Sequence, residues 1–187
     1  MAKLYWKPGN MLYPLPAVMV SVRDNDFNNI ITIAWAGTIC SDPAMLSISV
    51  RKERFSYDMI LNSGEFVVNL VTKDLAFATD YCGCKSGKNV DKFKECNLTA
   101  IPGTQVKAPM IEESPVNIEC RVREIIPLGS HDMFLADVLA VHADEKYMDE
   151  QHKFHLEKAD PIVYSPGAYL NCGEQLGTFG YSVRKKN

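Results

Sequence analysis

Between Val116 and Ile126 apolar and polar residues alternate with a period of two. Val116, Ile118, Cys120 and Val122 fall on one face; Asn117, Glu119, Arg121 and Arg123 fall on the other, the pattern of a half-buried antiparallel strand. A turn over Pro127 to Ser130 leads into a second long strand, Met133 to His142. Ala17 to Arg23 is a further strand by its β-branched content, and Asp24, Asn25 and Asp26 turn it into the next one. Gly64 ends a short helix begun near Ser56, and Glu65 to Val71 reads as a compact buried strand. Lys73 to Cys82 has helical character, and DKFKECN around Phe93 reads as a short turn. Many strands, short helices between them and no βαβ rhythm predict a mainly β antiparallel barrel with helical additions. The chain has 187 residues, 47% of them hydrophobic, enough for one substantial core and short for two. With no repeat, low-complexity tract or linker, residues 1–187 are expected to form a single domain.

The stretch from Asn28 to Ser56, NNIITIAWAGTICSDPAMLSISVRKERFS, bears most directly on function. Ile30 to Trp35 reads as a strand with Thr32 and Ala34 on one face and Ile31, Ile33 and Trp35 on the other. Ala36, Gly37 and Thr38 read as a small-residue turn where a ligand can approach the backbone. A second strand, Met45 to Val50, then delivers Arg51, Lys52 and Arg54, and Ser56 is placed to cap a helix over Tyr57 to Leu61. Cations beside a helix N-terminus suit a phosphate, because free N–H groups and the helix dipole add to their charge. The alternative is a solvated strand end. Trp35 beside small residues leaves room for a flat ring, although core packing is the usual role of such a tryptophan. Asn28 and Asn29 can hydrogen-bond a ligand, or serve only the turn in which they are read. Together these features point to a phosphorylated, planar cofactor.

The segments NIITIAWAG, CSDP, ISVRKERFSYDMI, GEFVVNL, SGKNVDKF, SPVNIEC, GSHDMFLADV and PIVYSPGAYLNCGEQLG stand in a characteristic order. In them the chain resembles the flavin reductase-like proteins with an FMN-binding split barrel, and within these the flavoredoxin-type group, over residues 14 to 180. The resemblance implies a split β-barrel binding FMN without a covalent bond. It implies cofactor contacts at Asn29, Thr32, Ala34, Trp35, Ala36, Gly37, Thr38, Ser49, Arg51, Lys52, Arg54, Phe55 and Ser56. GSH resembles the family's GDH-like turn, which makes His131 the catalytic candidate, near flavin and nicotinamide; the alternative is a structural histidine. The implied activity is hydride transfer from NADH or NADPH to the flavin and then electrons to an acceptor. The alternative is electron transfer without pyridine-nucleotide activity. The family's proteins are usually dimers with the flavin at the subunit interface, so a homodimer is expected.

The remaining features narrow the field. A formal charge of −3 and a knot of only three cations argue against a nucleic-acid groove. MAKLYWKPGN lacks the apolar core of a signal peptide, and LYPLPAVMV is short and split by prolines, so a cytoplasmic protein off the membrane is expected. Six cysteines in that setting read as reduced thiols. Cys82 and Cys84 form C-x-C with Cys96 following, but no second pair completes a metal site. His142, His152 and His155 read as surface residues. No catalytic triad order, HExxH helix, GxGxxG or Walker lysine is present.

Overall fold

The computed structural model describes residues 1–184. Its strands in chain order are β1 (Leu15–Pro16), β2 (Val18–Asp24), β3 (Phe27–Ile33), β4 (Ala36–Ser41), β5 (Ala44–Val50) and β6 (Glu65–Leu70). After them come β7 (Ala100–Ile101), β8 (Met110–Ile111), β9 (Val116–Pro127), β10 (Asp132–Ala143), β11 (Ile162–Ser165) and β12 (Ala168–Asn171). Among the described residues three α-helices interrupt the strands: α1 (Phe55–Ser63), α2 (Ala76–Cys84) and α3 (Lys92–Glu95). One seven-stranded sheet runs in the order β3-β2-β6-β9-β10-β5-β4, and β1, β11 and β12 form a separate small sheet. The pairings are antiparallel, as the absence of a βαβ rhythm requires. Among the described residues no helix is long and apolar enough to cross a membrane.

The sheet is covered on both faces. Val18, Val20 and Val22 of β2 join Ile48, Phe66 and Phe134 in one cluster, while Met19 joins Ile30, Phe93 and Ile111 in another. Removing a side chain such as Phe134, fully buried, would cost about 3–5 kcal/mol. Helix α1 lays Met59 and Ile60 on the first cluster and ends at Gly64, whose φ of 66° suits glycine.

Four local expectations are corrected. Ala36, Gly37 and Thr38 form no turn; they open β4, and the turn falls at Asp42 and Pro43. Ser56 is not the helix cap: Arg54 holds that position without a side-chain bond, and Ser56 lies inside the first turn. The polar face of β9 is not solvated at its start. Asn117 and Glu119 are 6% and 0% exposed, because the segment around β7 and β8 lies over them. Glu119 accepts hydrogen bonds from the backbone N–H groups of Thr104, Gln105 and Val106, satisfying a carboxylate that water cannot reach. Finally, His142 and His155 are half-buried: His142 Nε2 lies 2.6 Å from Glu119, and His155 stands between Asp149 and Glu157 at 2.8 Å from each.

Two register shifts in the β9–β10 pair bend the long hairpin, as bulges do. Strand β10 then pairs with β5, setting Asp132 opposite Val50 and Met133 opposite Ser49. That register brings the turn before β10 beside the residues that follow β5, and the site forms there.

Candidate functional site

A chamber of about 340 Å³ opens where β3 and β5 end. Thr32, Ala34, Trp35, Ser49, Arg51 and His131 supply part of its wall. Asp80 and Cys84 of α2, with Tyr164 and Tyr169 of the β11–β12 hairpin, supply much of the rest. Its size is that of a small-molecule site. A second cavity, about 90 Å³, adjoins it and shares Ile31, Arg54 and Gly83. Asn29, Phe55, Ser56, Ser86, Gly87 and Lys92 line this smaller space.

The small cavity carries Lys92, Arg54 and Lys85 against one carboxylate, Glu53. Lys92 is 4% exposed, and its Nζ donates to the carbonyl oxygens of Ile30 at 2.6 Å and Cys82 at 2.8 Å. No carboxylate among the described residues lies within ion-pair distance of it. Burial pushes its pKa down, and Arg54 nearby adds to that, the direction expected of a cation sealed away from water. A third N–H remains for a partner. Asn29 donates to the Ser56 hydroxyl at 2.8 Å, leaving that hydroxyl a proton to give. Ser56 stands in the first turn of α1, where backbone N–H groups have no helical partner. Gly87 is required here: a Cβ on it would stand 2.3 Å from the Asn29 Oδ1.

The large chamber is aromatic and polar together. The Trp35 ring meets the His131 ring edge-on, centroids 4.8 Å apart at 71°, and Trp35 is 41% exposed, so it faces the chamber rather than the core. Burial pulls the His131 pKa below its ordinary value, with Arg51 and Arg54 pulling the same way, so the ring is neutral at neutral pH. Ser130 Oγ lies 2.9 Å from its Nδ1. Thr32 donates to the Thr79 carbonyl at 2.5 Å, which leaves its hydroxyl oxygen as an acceptor. Burial pushes the Tyr169 phenol up to about 12, with Asp80 beside it adding to the effect.

The basic knot divides. Arg54 lines both cavities, and Arg51 lines the chamber while its guanidinium lies 3.5 Å from Glu53. Lys52 lines neither: its Nζ lies 3.4 Å from the Asp132 carboxylate. Ala36, Gly37 and Thr38 also stand outside both cavities, on the edge strand β4. Of the other expected contacts, Asn29, Phe55 and Ser56 line the small cavity and Thr32, Ala34, Trp35, Ser49 and His131 the large one. Reasoning along the sequence missed Lys92, Ser86, Asp80, Tyr164 and Tyr169. The signals were present in SGKNVDKF and in the tyrosine pair flanking SPGA.

All six cysteines are free thiols. Burial pushes Cys82 up to about 12 and raises Cys96 as well, which disfavours thiolate chemistry at these two residues. Among the described residues no three histidine, cysteine or acidic side chains cluster as metal ligands.

A bent, mainly β sheet with an aromatic chamber joined to a small cationic pocket is the architecture of a split-barrel protein with a small-molecule site. The chain belongs to the flavin reductase like domain family, whose model matches residues 11–173. It is similar in structure to flavoredoxin of Desulfovibrio vulgaris (Miyazaki F), at a TM-score of 0.90 and 30% identity, over 98% of this chain and 100% of that one. Flavoredoxin of Methanosarcina acetivorans gives a TM-score of 0.88 and 28% identity, over 98% and 100%. An uncharacterized protein of Archaeoglobus fulgidus is 30% identical over 138 residues, 74% of this chain and 77% of that protein.

Proposed function

We propose that this chain binds FMN and acts as a flavin reductase-like oxidoreductase with NADH or NADPH as donor. The observation that carries this reading is the buried Lys92 ammonium without a carboxylate, in a cavity that adjoins an aromatic chamber. A phosphorylated ligand with a planar ring suits both spaces. Lys92, Arg54, Ser56 and the first turn of α1 would hold the phosphate; Thr32, Ser49, Trp35 and His131 would surround the ring. When bound, the flavin supplies two-electron chemistry, accepting hydride and passing electrons onward.

The chain's own residues bind, orient and shield. Arg51, on the chamber wall, would place positive charge beside a ring that becomes electron-rich on reduction, an electrostatic assistance that needs no reorganisation. His131, neutral and held at Nδ1 by Ser130, offers Nε2 to a nicotinamide amide or to the ring. Trp35 and the tyrosine pair, on the chamber wall, would keep water from the ring. No acid–base dyad is needed for hydride transfer.

The similarity to flavoredoxins supports a second reading, an electron-transfer flavoprotein without pyridine-nucleotide activity. In either case the protein is assigned to the cytoplasm and to a homodimer. The free edge of β4, with Ile39 45% exposed, and the exposed Val141 are the surfaces assigned to a second copy. Through it Ala36, Gly37 and Thr38 would approach the flavin.

The visible spectrum of the purified protein, recorded before and after NADH or NADPH, tests the assignment. A bound flavin that bleaches supports the reductase. A bound flavin that neither nucleotide reduces moves the protein to the second reading. A protein that stays colourless and takes up no FMN in titration overturns both. Sedimentation at micromolar concentration tests the dimer.

A further inference from the structure

The turn that carries His131 is anchored by a network that the proposed function leaves unused. Asp132, 3% exposed, opens β10 immediately after that histidine. Its Oδ2 accepts a 2.6 Å hydrogen bond from the Tyr57 hydroxyl and lies 3.4 Å from Lys52 Nζ. Tyr57 belongs to the first turn of α1, and its ring packs edge-on against Phe134, centroids 5.5 Å apart at 72°, with Phe134 fully buried. Strand pairing fixes Asp132 from both sides, opposite Val50 on β5 and Pro127 on β9. Leu128 N–H closes the turn by donating to the His131 carbonyl at 3.0 Å.

We propose that Asp132, clamped by Tyr57 and Lys52, is the positioning residue that sets His131 against Trp35 on the chamber wall. A buried carboxylate is costly unless it is paired and hydrogen-bonded; these two partners, from the basic knot and from α1, meet that need at Oδ2, while Oδ1 is buried without a partner. The backbone of Asp132 is thereby held, and the ring of its neighbour has one place to lie. Arg51, Arg54 and Glu53 are the charged groups that bear on His131, and Lys52 offsets the charge of Asp132. Burial holds the imidazole below its ordinary value, so a ring released from the wall should titrate nearer 6.5. The clamp stands on geometry alone; only its effect on rate rests on the proposed function.

The test is an NMR titration of the His131 ring together with Trp35 emission, in a Trp6→Phe background, on the protein as purified. Asp132→Ala should raise the His131 midpoint and change the Trp35 emission. Tyr57→Phe and Lys52→Met should move both in the same direction by less. Asp132→Asn should restore part of the wild-type behaviour, since its amide oxygen still accepts from Tyr57. If Asp132→Ala fails to fold, the two partner variants decide. A folded variant set with lowered melting temperatures but wild-type His131 titration and Trp35 emission overturns the proposal. With FMN and NAD(P)H present, Asp132→Ala should slow reduction by roughly tenfold with FMN affinity kept. A shifted His131 titration with an unchanged reduction rate supports the clamp and instead removes His131 from the proposed chemistry.

Discussion

Asn29 on β3 donates a 2.8 Å hydrogen bond to Ser56 in the first turn of α1, and both side chains are 2% exposed. This one bond ties the sheet to the helix at the wall of the small cavity. Ser56→Ala removes the acceptor and leaves a buried amide N–H without a partner, at about 1–3 kcal/mol. The expected result is a lower melting temperature for the protein without ligand and, on top of it, weaker FMN binding. Thermal denaturation and a fluorescence titration measure the two effects separately. Unchanged stability would show that the Asn29 amide finds another partner.

Lys92→Met should separate stability from binding. The substitution keeps volume and removes a buried charge, which offsets the loss of its bonds to the Ile30 and Cys82 carbonyls, so the ligand-free fold should change little. FMN affinity should fall by tenfold or more, about 1.4 kcal/mol, while riboflavin affinity stays the same, because riboflavin has no phosphate. Parallel titrations with the two flavins check this. An equal loss for both would take the phosphate out of the small cavity.

Glu119 should make the protein sensitive to acid. Burial alone would raise its pKa, but bonds from Thr104, Gln105 and His142 overcome that and bring it from 4.5 down to about 2. A carboxylate whose folded value is depressed stabilises the fold fully above its unfolded value and loses that contribution as pH falls through the folded one. The window therefore runs from pH 4.5 down to about 2, and the contribution is roughly 3 kcal/mol. Glu119→Gln should flatten the stability profile across that window, as urea midpoints at each pH will show.

Thiol labelling should follow burial. Cys84 and Cys172 are exposed, whereas Cys82 and Cys120 are buried with pKa values pushed up to about 12. Iodoacetamide at neutral pH should modify the first pair in the native protein and spare the second until denaturant is added. Mass spectrometry of the digested protein reads the order. Early labelling of Cys82 would mean that α2 opens beside the small cavity.

Much of the fold was legible because it depends on patterns within single segments. The alternation of β9, the turn at Asp24 to Asp26 and the glycine that ends α1 each carry their own signal. What escaped depends on segments meeting. The buried polar face of β9 needed the Thr104 to Val106 loop to lie over Glu119, and no local rule announces that. The same holds for the site. Trp35, Arg54 and Asn29 stood out in one continuous stretch, but Lys92 reaches the cavity from 62 residues beyond the Ile30 carbonyl it binds. Lys52 looked like its neighbours Arg51 and Arg54, and only the β5–β10 register turned it toward Asp132 instead. A run of like charges gives the charge, not the direction of each side chain.

The lysine sealed between the Ile30 and Cys82 carbonyls makes folding and loading two faces of one equilibrium. An empty pocket leaves that ammonium without a counter-charge, and an anion seated there stabilises only the folded chain. Any change that lets the empty protein tolerate the charge better removes part of its reason to hold the anion. Toughness and grip therefore pull against each other at this position. Among variants at Lys92 and its neighbours, those that hold their ligand most tightly should be the most fragile without it.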